Sequence, residues 1–143
     1  MTFYQYFKQT NTSLAALSFS FRILYVFILV FATSYLIPNI TYLTDYGQLT
    51  FHNNEQFLKI FSIGLIIFGA HLLLIGILMK KHHVIPNTLS YLTMVAGIIY
   101  MVDHSIKTIL PQYINTMNEF EMYLALPMAC GELGLAIWLI IKG

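Results

Sequence analysis

Four long apolar runs alternate with shorter polar stretches, and that alternation sets the expected architecture. The runs are Leu14–Ile37 (LAALSFSFRILYVFILVFATSYLI), Leu58–Met79 (LKIFSIGLIIFGAHLLLIGILM), Asn87–Leu110 and Phe120–Ile141. Each supplies the roughly 20 mostly apolar residues that carry a helix across a bilayer. Pro38 and Pro111 stand just beyond the first and third runs. Pro127 lies inside the fourth, where a missing donor and a crowded carbonyl at Tyr123 predict a kink. Between the runs, residues 38–57 form a long loop, residues 80–86 (KKHHVIP) a tight one, and residues 111–119 (PQYINTMNE) a third. Thr116 and Glu119 in the third loop have capping-box spacing, which predicts the start of the last helix there. The expectation is an all-α, integral membrane four-helix bundle, a single transmembrane domain over residues 1–143 with spans at about 14–37, 58–79, 87–110 and 120–141.

Composition agrees with that solvent. Apolar residues make up 58% of the 143-residue chain and charged residues only 9%, against about 25% charged in soluble domains; the mean hydropathy is +0.72. A net charge of +1, with no basic stripe and no Gly-rich phosphate loop, gives nucleic acid no footing. Cys130, the one cysteine, excludes a disulfide framework or a Cys-ligated zinc site within one chain.

Lys8, Lys80, Lys81 and Lys142 fall on one side of four spans; Asp45, Glu55, Glu119 and Glu121 fall on the other, with Lys59 and Lys107 at helix ends. The positive-inside rule then predicts cytoplasmic N- and C-termini in the cell inner (plasma) membrane. Trp138 suits the aromatic belt on that side. A signal peptide is the rival reading of the N-terminus, with Ile23–Phe31 as its apolar core and Ala32-Thr33-Ser34 as a weak cleavage site. The long aromatic stretch before Arg22 and the apolar run beyond Ser34 favour a span instead.

Charged and titratable groups inside the spans are the candidate chemistry, because they are costly in lipid and usually face the bundle interior. They are Arg22, His71, Asp103, His104, Lys107 and Glu132. At about 1.5 Å per residue, Arg22, His71 and Glu132 share a layer roughly 12–15 Å from the cytoplasmic helix ends. Asp103 and His104 lie near 24 Å, about 10 Å further out. The expected buried polar centre is therefore Arg22, His71 and Glu132, with Glu132 pairing with Arg22, whose planar fork matches a carboxylate. That centre either locks helix register or forms a site for a proton, an ion or a small ligand. A second, outer cluster comprises Tyr100, Asp103, His104 and Lys107, with Asp103 and Lys107 paired at i,i+4. Ala125, Ala129 and Ala136 share a stripe with Glu132 and are expected to pack that face against a helix; the alternative reading is an accessory or scaffolding subunit that joins a larger membrane complex through this small-residue face.

Bis-histidine haem between His71 and His104 fails on the displacement of about 10 Å along the bundle. Neither GxSxG nor HExxH is present, and only His71 and Glu132 share a layer where a zinc site would need more ligands. No enzyme activity, cofactor or metal is expected.

Several ordered pieces resemble a known family: Phe21–Arg22, FGAHLLLIG at Phe68–Gly76, Pro86, the G-x-x-Y-x-x-D pattern of Gly97–Asp103, and GELGLAIWLIIKG at Gly131–Gly143. Together they resemble, from about Ser18 onward, prokaryotic multi-pass membrane proteins carrying a domain of unknown function (number forty-three eighty-six). The resemblance implies a helical, membrane-embedded fold and matches recurring polar positions to Arg22, His71, Asp103 and Glu132. It brings no established activity. Family members tend to have about two further spans before the Phe-Arg helix, whereas only Met1–Ser13 precedes it here, as expected of either a short natural variant or a truncated one. The resemblance thus implies an open helix face, and the expected partners are the lipid bilayer and either a second copy of the chain or another membrane protein.

Overall fold

The computed structural model describes residues 3–37, 54–82 and 85–142. Most of the predicted 38–57 loop, and His83 and Val84 of the KKHH loop, lie outside these. The regular structure among the described residues is helical: α1 (Phe3–Phe7), α2 (Thr12–Ser34), α3 (Asn54–Lys81), α4 (Asn87–Ile109) and α5 (Ile114–Lys142), with one 3-10 turn at Pro111–Tyr113. Helices α2 to α5 are each long and apolar enough to cross a membrane.

Local chemistry sets the helix starts. The Asn11 side chain caps α2 by accepting from the Leu14 amide at 3.0 Å, satisfying one of the donors a helix start leaves open. The α5 start differs from the capping-box expectation. The 3-10 turn that opens at Pro111 hands the chain directly to a helix at Ile114, so Thr116 and Glu119 lie inside α5 rather than at its cap. Helix α5 then runs unbroken through Pro127.

The four long helices pack in chain order, α2 on α3, α3 on α4 and α4 on α5. Glycine makes the closest of these approaches. A Cβ built on Gly69 would sit 2.6 Å from the Gly97 carbonyl oxygen, and one on Gly97 would sit 2.6 Å from that of Gly69. Backbone therefore meets backbone at the α3–α4 crossing, which only a residue without a side chain allows. Gly131 plays the same part between α5 and α4, where a Cβ would come within 2.9 Å of Ala96 and 3.1 Å of the Leu92 carbonyl.

That contact puts the face of α5 that packs within the chain elsewhere than on the alanine stripe. Ala125, Ala129 and Ala136 are exposed in this chain, while Met128, Gly131 and Leu135 form the buried face of α5. An alanine is small enough for either a helix contact or a lipid face, so residue size alone did not set the phase. The bulk of Met128 and Leu135 and the close approach at Gly131 did.

At the end of the bundle where the chain begins and ends, α1 folds beneath the long helices. Phe7, 1% exposed, is buried with Ala15, Ile75, Leu78, Met79, Ile85 and Leu135. Its ring meets His82 edge-on at 6.0 Å. Tyr4 and Trp138 pack around this cluster.

Candidate functional site

Helices α2 and α5, the first and last spans, share no packed interface among the described residues. The gap between them is a half-open cleft of about 240 Å³. Arg22 of α2 and Glu132 of α5 line it, and Phe68, His71, Leu72 and Ile75 of α3 form its floor. The cleft thus gathers Arg22, His71 and Glu132, but of the three expected as a buried centre only His71 is buried; Arg22 is exposed and Glu132 half-buried. Leu135, Ala136 and Leu139 complete an otherwise apolar wall.

His71 is 1% exposed and held by α2. Its Nδ1 lies 2.8 Å from the Ser18 carbonyl oxygen and 3.0 Å from Ser18 Oγ. A carbonyl only accepts, so Nδ1 carries a proton and donates it there. In the neutral ring Nε2 then holds the lone pair, and Nε2 is buried without a hydrogen-bond partner. Sequence reading missed Ser18. The signal was present, since Ser18 stands one helical turn before Arg22 and so shares its face.

For Glu132 the structure bears on only one form of the expected pairing, the two-bonded arginine fork. A bidentate fork would occupy both carboxylate oxygens, whereas Glu132 Oε1 is buried with no hydrogen-bond partner. Tyr100 and Glu132 lie close enough to interact electrostatically. Tyr100, assigned from spacing to the outer cluster, therefore joins that cluster to the cleft.

The junction is aromatic. Phe68 lies 4.9 Å from Tyr25, 5.5 Å from Tyr100 and 6.1 Å from His71, measured between ring centroids. The Tyr100 and His104 rings are nearly parallel, 13° apart in plane and 6.2 Å apart in centre. Phe68 was quoted only as part of a motif, yet its position three residues before His71 puts both on one face of α3.

Beyond Tyr100 the outer cluster is well ordered. Asp103 is 3% exposed, and its Oδ2 lies 2.9 Å from Lys107 Nζ, the i,i+4 pair that the spacing predicts. Lys107 Nζ also meets Glu121 Oε2 of α5 at 2.9 Å. His104 Nε2 approaches Asp103 Oδ2 at 3.7 Å. Asp103 Oδ1 and His104 Nδ1 are buried and unpartnered. Among the described residues, no group of three or more His, Cys, Asp or Glu side chains could hold a metal ion.

A family model for a domain of unknown function (DUF4386) matches residues 1–143, further toward the N-terminus than the motifs from Ser18 onward. An uncharacterised protein of Archaeoglobus fulgidus is 33% identical over 92 residues, covering 64% of this chain and 51% of the relative. The chain thus spans about half the length of that relative. No solved structure matches. The chain belongs to the DUF4386 family, and its four apolar helices make it a multi-pass membrane protein.

Proposed function

Taking membership of this family as the premise, we propose that the chain is a non-enzymatic protein of the cell inner (plasma) membrane whose cleft takes up a small amphiphilic ligand from the bilayer. One observation carries the reading. His71 Nε2 and Glu132 Oε1 are buried acceptors without partners, on residues that line a cleft with Arg22 and an apolar wall. Leaving a buried polar atom unpaired costs about 1–3 kcal/mol, and a ligand with a hydroxyl or amine head would remove that cost at both atoms. Its apolar body suits Leu72, Ile75, Leu135 and Leu139. The cleft lies between two helices that do not pack on each other, so the ligand arrives sideways from lipid.

The rival reading is a register lock made by Arg22 and Glu132. The two readings part on the double variant Arg22→Met with Glu132→Leu. Arg22 is exposed and Glu132 half-buried, and apolar side chains suit positions that face the cleft and lipid, so the fold survives under either reading. A binding site predicts that a small amphiphile extracted with the purified wild-type protein, and read by mass spectrometry, is lost from the double variant. It is lost as well when Ala136→Trp fills the cleft. Equal small-molecule content in wild type and both variants would overturn the ligand reading.

A further inference from the structure

We propose that protons cross this protein along one line of side chains, from Glu121 at the end remote from the termini, through the cleft, to Ser18 beside α1. The middle of the line rests on the cleft being the polar site described above; the outer part stands on the α4 network alone.

The contacts run in sequence. Glu121, with its side chain 49% exposed, meets Lys107 Nζ, which also meets buried Asp103. Asp103 adjoins His104, and the His104 ring lies parallel to Tyr100. Tyr100 is in electrostatic contact with Glu132. Glu132 and His71 line one cleft, and His71 Nδ1 meets Ser18. His71 and Ser18 also line a second, much smaller void of about 10 Å³, against Tyr4 and Phe7 of α1. One imidazole thus stands between the cleft and the space above α1. Ring separations near 6 Å are within reach of bridging water, and the cleft is roomy enough to hold several waters.

The pattern of open valences supports conduction over packing. Four buried polar atoms without a hydrogen-bond partner lie on this line: Asp103 Oδ1, His104 Nδ1, Glu132 Oε1 and His71 Nε2. A network serving only to hold helices together gains by closing each of them. A relay needs each group to accept on one side and release on the other. Transfer breaks and makes only O–H and N–H bonds. A carboxylate takes a proton as its neighbour releases one, and the imidazole takes a proton at Nε2 and releases one from Nδ1. One proton enters and one leaves, with no oxidant or reductant. The charges facing the line are Arg22 at the cleft, which Tyr25 also approaches from α2, and Lys107 beside Asp103.

The test uses the full chain in liposomes containing a pH-reporting dye, with a potassium gradient and valinomycin to set the voltage. Wild-type liposomes should change internal pH several-fold faster than protein-free ones. Asp103→Asn and Glu132→Gln should each slow that rate by at least about tenfold, whereas Ala125→Leu, on the exposed face of α5, should leave it unchanged. Size-exclusion and circular dichroism establish that each variant is folded, and His104→Gln replaces either that is not. A wild-type rate equal to that of empty liposomes overturns the proposal. So does wild-type flux in a folded Asp103→Asn or His104→Gln variant. Small-molecule content is measured separately, so loss of the ligand reading with Asp103-dependent flux intact leaves the relay standing, and the reverse result removes the relay alone.

Discussion

Adding one carbon at Gly97 is expected to push α3 and α4 apart. In Gly97→Ala the new Cβ would meet the Gly69 carbonyl oxygen at 2.6 Å and the Leu73 amide nitrogen at 2.8 Å, both backbone atoms that no rotamer change can move. Ordinary contact begins at 3.4 Å, so the helices must separate by about 0.8 Å at the crossing. A gap of that size forfeits roughly a quarter to a half of the dispersion energy of each contact it opens. Overpacking of this kind costs about 1–3 kcal/mol, and the helix preference of alanine over glycine returns about 1 kcal/mol. The net expectation is a loss of about 1 kcal/mol. Gly64→Ala is the control. Its Cβ would meet only side-chain atoms, Ile28 Cγ2 at 3.2 Å and the Tyr25 ring from 3.6 Å, so the propensity gain should survive. The two variants should therefore shift stability in opposite directions. Unfolding by SDS in mixed micelles reads this, with the single Trp138 as reporter. Gly97→Ala as stable as Gly64→Ala would mean that backbone contact does not set the α3–α4 crossing.

Lys107→Met should destabilise by about 3–5 kcal/mol, because it strands the buried Asp103 carboxylate; adding Asp103→Asn should recover a large part of that loss in the same SDS titration. Phe7→Ala should cost about 3–5 kcal/mol and loosen the α1 cluster, read as a red shift of Trp138 fluorescence; an unchanged spectrum and midpoint would show that α1 is not part of the folded core. His71→Phe should leave stability within about 1 kcal/mol of wild type, since it removes an unpartnered buried nitrogen but also the Nδ1 bond to Ser18, while the cleft ligand and proton flux are lost. A folded His71→Phe variant that retains both would remove His71 from the site.

Helix number, type and apolarity were legible because spans need length and composition, which a single sequence displays. That Arg22, His71 and Glu132 line one cleft agrees with a depth read by counting residues at a fixed rise, but the exposure of Arg22 could not be counted that way. Rotation about the helix axis was harder to read. Around the apolar part of α5 no polar face marks which side meets lipid, and the alanine stripe is not the side that packs within the chain. Tyr100 shows a second limit. Its spacing relates it to Asp103 and His104 on its own helix, but its electrostatic interaction with Glu132 depends on how closely α4 and α5 approach at Gly131. The α1 plug was missed for a third reason. Five residues are too few for a periodic signal, and their order comes from burying Phe7 under other helices.

The depth of the cleft has an electrical consequence. Arg22 lies ten residues into the 23-residue α2, close to its midpoint. A charge there stands about halfway through whatever voltage the membrane holds. The full drop is worth about 2.3 kcal/mol per elementary charge for each 100 mV, so half of it is roughly 1.2 kcal/mol. That biases the occupancy of a cation or proton in the cleft by roughly sevenfold per 100 mV. A neutral guest feels none of it. The same cleft therefore discriminates between charged and uncharged occupants according to the energised state of the membrane, through its position alone and without any moving part.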